Sequence, residues 1–244
     1  MIVLYTDFGL NGPYVGQVKA VLARKSPGAP VLDLMHDAPA FDPMLAGYLL
    51  AALVGEFAAG AVFLCVVDPG VGSVRAPLIL RADERWFVGP DNGLFEPIAR
   101  RARSLEAWTI SLEPERLSAS FHGRDLFAPV AANLARGEPA PGAPIDAASV
   151  RRPDWPDDLE RIVYIDRFGN GMTGMRAAGL SRTALIRVAG RTLAFAPTFS
   201  AVPRDQAFWY ENANGLAEIA VNQGSAAECV GLSLGAPVCW STRR

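Results

Sequence analysis

Ala61-Val62-Phe63-Leu64-Cys65-Val66-Val67-Asp68-Pro69-Gly70-Val71-Gly72 is the stretch whose reading decides the fold. An unbroken apolar run rich in Val is expected of a strand buried on both faces, as in a parallel sheet covered by helices. The run stops at Asp68-Pro69-Gly70, a turn signal that leaves a carboxylate at the strand's carboxyl end. Working outward, Ile2–Tyr5 is a second short apolar strand, ending on Thr6-Asp7-Phe8-Gly9. Tyr14–Arg24 follows with Val15, Val18, Val21 and Leu22 at helical spacing. Val31–Leu34 reads as a strand, and Asp42-Pro43 opens a helix with Asp42 as N-cap and Pro43 at the first helical position. Pro77–Arg81 and Arg85–Val88 read as a strand pair, Asn92–Arg101 and Arg124–Ala135 as helices. This alternation predicts an α/β N-terminal domain, a βαβ layered sheet, over residues 1–150.

The composition changes between Gly137 and Asp158, where Pro139, Pro141, Pro144, Pro153 and Pro156 crowd into a polar stretch. Residues 137–158 are therefore the expected linker. Beyond it come short strands punctuated by Gly and Pro: Arg161–Asp166, Ala184–Val188, Arg191–Phe195, Ala207–Glu211, Leu216–Val221 and Pro237–Trp240. They predict a small all-β, barrel-like C-terminal domain over residues 159–244.

The net charge of −2 argues against a nucleic-acid binder, which shows a basic excess or stripe. No apolar stretch approaches the roughly 20 residues that span a bilayer. The first residues look like a strand and not a signal peptide, so a cytoplasmic protein is expected. Cys65, Cys229 and Cys239 are far apart and read as small buried hydrophobes in a reducing compartment. With only His36 and His122 and no Cys cluster, no metal and no cofactor are expected.

Three polar clusters fall at strand ends or helix starts, where open α/β sheets bind ligands. They are Thr6-Asp7-Phe8-Gly9, Asp68 through Arg75, and Ser120-Phe121-His122-Gly123-Arg124-Asp125. Gly70-Val71-Gly72 lacks the third glycine of a dinucleotide fingerprint and the Gly-Lys-Ser/Thr of a P-loop. Taken singly, Asp68 also reads as a turn residue, Arg75 as its salt-bridge partner and His122 as a structural histidine. A histidine beside a helix N-terminus is disfavoured as a cation, which keeps it available as a neutral donor or acceptor. In the second half, Ile165-Asp166-Arg167-Phe168-Gly169-Asn170 ends a strand in a polar and aromatic turn. Asn214-Gly215 is a hairpin signal, and Glu218 stands alone in an apolar strand.

Together these segments, with Gly89-Pro90-Asp91-Asn92-Gly93 and Glu218-Ile219-Ala220-Val221-Asn222, resemble the S-adenosylmethionine hydroxide adenosyltransferases, relatives of the bacterial fluorinase and chlorinase. The motifs occur in the family's order and span nearly the whole chain. The resemblance implies a homotrimer with sites at subunit interfaces, S-adenosylmethionine (SAM) as substrate and adenosine as product. It implies that Asp68, Arg75 and His122 are the group that marks the water-using members. It also implies that Asp7 holds the ribose hydroxyls, with Phe41 beside the ribose and Tyr14 near the methionine part. Ser120, Phe121 and Gly123 match a stretch lining the reacting centre. Asp166 matches an amino-acid contact, Phe168 and Asn170 match adenine contacts, and Val221 and Gln223 fall where backbone groups read the adenine edge. Ala213 stands where the family usually has a serine, so the methionine end is expected to lean on Asn212 or Asn214.

SAM carries a sulfonium, so methionine leaves as a neutral thioether and no general acid is needed. What the reaction needs is an aligned water, a dry pocket and a proton acceptor. Hydrolysis to adenosine and L-methionine is the expected activity. The alternatives are a non-catalytic adenosine or SAM sensor and a halide-using adenosyl transferase.

Overall fold

The computed structural model describes residues 1–242. By internal contacts the chain divides into two units: Met1–Gly47 with Val54–Trp155, and Tyr48–Leu53 with the chain from Pro156 on.

The first unit carries β1 (Ile2–Thr6), α1 (Tyr14–Lys25), β2 (Val31–Met35), α2 (Pro43–Leu53, divided between the units), β3 (Val62–Val66), β4 (Pro77–Ala82), β5 (Arg85–Pro90), α3 (Glu96–Arg101), β6 (Leu105–Ile110), α4 (Ala128–Ala135) and β7 (Gly142–Ile145). Its strands make one sheet in the order β2-β1-β3-β5-β4-β6-β7. The β2-β1-β3-β5 half is parallel and the β4-β6-β7 half antiparallel. The apolar run reads correctly: every residue of β3 is buried. Ile2, Leu4, Val62, Leu64 and Val66 share one core cluster with residues of α1 and α4. Val3, Tyr5, Phe63 and Cys65, which alternate with them, are buried too. Phe63 stacks on Phe87, and the Tyr5 hydroxyl donates to the Ala46 carbonyl at 2.8 Å. The Asp42 cap is also present, its Oδ1 accepting the Leu45 N–H at 3.0 Å.

The stretch expected to be a linker carries structure. β7 adds an edge strand to the sheet, with Pro144 opposite Trp108. An edge strand has one side with no ladder to complete, so proline is tolerated there. A short 3₁₀ turn, Ala147–Val150, follows with Asp146 as its cap. The helix expected from Asn92 starts later, at Glu96, because Asn92 is used in a turn: its Oδ1 accepts the Leu94 N–H.

The second unit holds β8 (Leu159–Ile165), β9 (Gly171–Arg176), β10 (Ala184–Val188), β11 (Arg191–Ala194), β12 (Ala207–Glu211), β13 (Leu216–Val221), α5 (Ala226–Val230) and β14 (Val238–Thr242). It is not a closed barrel. It has two antiparallel sheets, β11-β10-β14 and β12-β13-β9-β8, touching through the single bridges Phe195–Trp209 and Arg161–Pro237. Their shared core includes Trp209, Ile186 and Ile219, and the buried Trp209 indole N–H is satisfied by the Ala184 carbonyl at 2.9 Å.

The cysteines divide. Cys65 is buried in β3, but Cys229 and Cys239 are exposed, so the reading of all three as buried hydrophobes fails for two. Among the described residues no helix is long and apolar enough to cross a membrane, and no three of His, Cys, Asp and Glu gather into a group that could hold a metal ion.

Candidate active site

β1 and β3 are parallel neighbours, Thr6 lying opposite Val66, and β2 lies on the far side of β1. The strand order therefore reverses at this pair, and the crevice beyond its carboxyl ends is where such sheets take ligands. Asp7 directly follows β1, and Asp68 follows β3 by two residues. Asn92 fixes the second of these ends by donating to the Val67 carbonyl at 2.9 Å.

The loop after Asp68 doubles back. The Ser73 hydroxyl donates to the Gly70 carbonyl at 2.6 Å and accepts the Arg75 N–H at 3.2 Å. Gly72 has a φ of +77°, and a Cβ there would lie 2.5 Å from the Ala119 carbonyl oxygen. Glycine lets the loop lie against the segment leading to His122. Arg75 then grips Asp68 with two prongs, Nε to Oδ1 at 3.1 Å and Nη2 to Oδ2. Their side chains are only 8% and 4% exposed. The Arg75 guanidinium also lies over the Phe127 ring.

His122 precedes a π-helical turn, Gly123–Phe127, that runs into α4. Its Nδ1 is 3.4 Å from Arg75 Nη2. A guanidinium only donates, so Nδ1 accepts and the imidazole is neutral with its proton on Nε2. Burial, then the Arg75 charge, lowers the His122 pKa, against the opposing pull of Asp68 and Asp125. Asp125 is itself held down to about 2, first by its hydrogen bond with Arg124.

Asp7, Phe8, Phe41, Asp68, Phe121 and His122 line a cavity of about 130 Å³ here, with Ser120 and Gly123 also on its wall. Arg75 is not on that wall; it stands behind Asp68 and His122. Burial, and more weakly the Asp68 charge, raises the Asp7 pKa, while the Phe41 N–H bonded to its Oδ2 at 3.3 Å opposes the shift. Phe41 is 79% exposed and sits at a φ of +61°, a strained value for an aromatic residue. Tyr14 is beside the cavity and not in it, its ring packed edge-on against Phe121.

A second cavity, of about 670 Å³, belongs to the second unit, and Asp166, Phe168, Asn170, Tyr210, Val221 and Gln223 are among its lining residues. Asp166 Oδ1 accepts the N–H groups of Phe168 and Asn170 at 2.9 and 2.8 Å, which fixes the turn between them. Asn170 Nδ2 donates to Asp166 Oδ2, but its buried Oδ1 takes no hydrogen bond among the described residues. An orphaned buried acceptor in a cavity wall suits a ligand N–H. Phe168 is 75% exposed, and Gln223 has a φ of +56°. Among the described residues no basic side chain lines this cavity.

Glu218 does not line it. It is 2% exposed and accepts from the Tyr210 hydroxyl at 2.6 Å and from Asn212 Nδ2 at 2.8 Å. Asn212 in turn accepts the N–H groups of Asn214 and Leu216, so Asn214 is held in a turn beside Ala213. That turn borders a separate open cavity with Arg182 and Phe195. Tyr210→Phe leaves one Glu218 oxygen buried without its donor and is expected to cost about 1–3 kcal/mol of stability. Urea unfolding measures it, and a loss under half a kilocalorie would mean that water replaces the phenol.

The model of the SAM hydroxide adenosyltransferase N-terminal domain matches residues 2–143, and that of the C-terminal domain matches 160–239. The chain belongs to the SAM hydroxide adenosyltransferase family. The (R)-S-adenosyl-L-methionine hydrolase of Thermus thermophilus is 39% identical to it, with 96% of each chain covered. A crystal structure of an uncharacterized conserved protein from Thermotoga maritima matches with a TM-score of 0.89 at 30% identity, over 98% of this chain and 99% of that one. The fluorinase of Nocardia brasiliensis is more distant, 24% identical over 57% of this chain and 55% of its own.

The sequence motifs supply residues of both cavities. Phe8, on the first cavity wall, and Tyr210, on the second, are lining residues that the motif pattern does not single out. Phe8 lies inside Thr6-Asp7-Phe8-Gly9, whereas Tyr210 lies in an ordinary strand pattern with nothing to mark it.

Proposed function

We propose that this chain hydrolyses the (R) sulfonium epimer of S-adenosyl-L-methionine to adenosine and L-methionine, as a cytoplasmic homotrimer with sites at subunit interfaces and no cofactor. The observation that carries the reading is Asp68 and His122 on the wall of the Asp7 cavity, with Arg75 behind and bonded to both. A water oxygen attacks C5′ of the ribose, the C5′–S bond breaks, and sulfur keeps the electron pair as a neutral thioether. Asp68, held by Arg75, takes the water proton. His122, neutral with Nε2–H, donates to the water oxygen and holds it in line. Asp7 accepts from the ribose hydroxyls beside Phe41. Ser120, Phe121 and Gly123 shape the reacting centre, and Tyr14 packs behind them.

The second cavity suits the rest of the ligand. Phe168 offers a face for adenine and Asn170 Oδ1 an acceptor for its amino group, with Val221 and Gln223 at the ring edge. Asp166 meets the amino-acid ammonium, and Glu218 acts only indirectly, by holding the Tyr210 hydroxyl at the cavity wall. A cavity wall with a carboxylate and no basic side chain fits a cationic substrate. Ligand sites usually enclose roughly 300–1,000 Å³, so the small Asp7 cavity is one that a subunit interface would complete.

The test is product analysis with each sulfonium epimer separately. Adenosine from the (R) epimer supports the reading. Tight binding with no turnover would favour a sensor, and 5′-chloro-5′-deoxyadenosine in added chloride a halide-using enzyme. Because the His122 pKa is lowered and the neutral form is the working one, kcat/KM should rise with pH through a limb below 6.5 and then level off. A limb centred above 7 would remove His122 from this role.

A further inference from the structure

His36 is not used by the reaction, yet it is 4% exposed and lies directly behind the turn that carries Asp7. Its Nδ1 is 2.8 Å from the hydroxyl of Thr6, a residue 1% exposed at the end of β1. That hydroxyl also accepts the Phe8 N–H at 3.3 Å, closing the turn over Asp7. On its other side His36 Nε2 is 3.1 Å from Asp33 Oδ1, close but without hydrogen-bond geometry, while Asp33 Oδ2 accepts from Lys19 at 2.9 Å. The backbone laces the same segments together: Gly9 N–H donates to the His36 carbonyl at 2.6 Å, and Ala38 N–H to the Thr6 carbonyl at 3.1 Å.

We propose that His36 is a positioning residue for the nucleoside end of the site: it holds the Thr6 hydroxyl, which fixes the turn that aims the Asp7 carboxylate into the cavity. A threonine hydroxyl this buried has no water to turn to. If His36 is removed, the hydroxyl keeps only the long contact to Phe8 N–H. The turn between Thr6 and Phe8 is then free to relax, and Asp7 moves with it. His36 is not among the residues that line the cavity, so its loss should weaken nucleoside binding and leave the chemical step alone.

This inference rests on the proposed role of Asp7, and calorimetry with adenosine separates the two. Wild-type protein that does not bind adenosine overturns the functional reading. Given binding, His36→Leu should weaken adenosine about tenfold, the equivalent of one lost hydrogen bond, and raise KM for SAM to match while kcat stays within about twofold. His36→Asn, which can keep a nitrogen or oxygen beside Thr6, should recover most of the loss. In an Asp7→Ala background His36→Leu should change affinity by less than about twofold, because it acts through Asp7. If His36→Leu does not fold, Thr6→Val carries the same expectations. Unchanged adenosine affinity, or the full effect persisting without Asp7, or a fall in kcat alone, overturns the proposal.

Discussion

Asp68→Ala is expected to lower kcat for adenosine formation by roughly 10²–10⁴-fold, the usual scale of a lost general base. Affinity for adenosine should stay within about threefold, since the ribose contact is assigned to Asp7 and a neutral ligand gains little from a neighbouring carboxylate. The variant removes the proton acceptor and also unties Arg75, whose two-pronged grip on Asp68 holds the guanidinium beside His122. Single-turnover kinetics with saturating substrate isolate the chemical step. A kcat within a factor of about five of wild type would show that the proton leaves by another route.

Arg75→Met should act first on stability. The substitution keeps much of the side-chain bulk but leaves the Asp68 carboxylate, 4% exposed, without its cation. Breaking one half of a buried pair typically costs about 3–5 kcal/mol, more than the intact pair contributes, because an uncompensated charge stays behind. Arg75→Lys restores the charge without the planar fork and should recover part of the stability but not the contact to His122. Denaturant unfolding at neutral pH measures both. A loss under about 1 kcal/mol for Arg75→Met would mean that water already shields Asp68.

The parallel half of the sheet is legible in the sequence because β3 is buried on both faces and so is written as an unbroken apolar run. β9 is not, although it lies between β13 and β8. Its Gly171 and Gly174 weaken the strand pattern, and they are needed because a Cβ at either would press on Leu232 or Leu159 at 2.7 Å. β7 is masked by Pro144, which an edge position allows. The site is half legible. Asp7, Asp68 and His122 sit in recognisable motifs, but the meeting of Arg75 with His122 is a contact across 47 positions, set by where the loop and the π-helical turn are carried. The buried place of Glu218 was hidden because a lone carboxylate in an apolar strand reads the same whether it faces a ligand or a neighbouring phenol. The contact between His36 and Thr6 depends on how β1 and the chain after β2 lie side by side, which spacing does not encode.

The cysteines give the molecule a built-in reporter. Cys229 and Cys239 are exposed, whereas Cys65 is fully enclosed in β3 and burial raises its pKa well above the usual thiol value. A thiol-reactive dye should therefore label two sites in the native protein and the third only when β3 opens. Since that strand leads into Asp68, the third labelling event times the opening of the reaction centre itself.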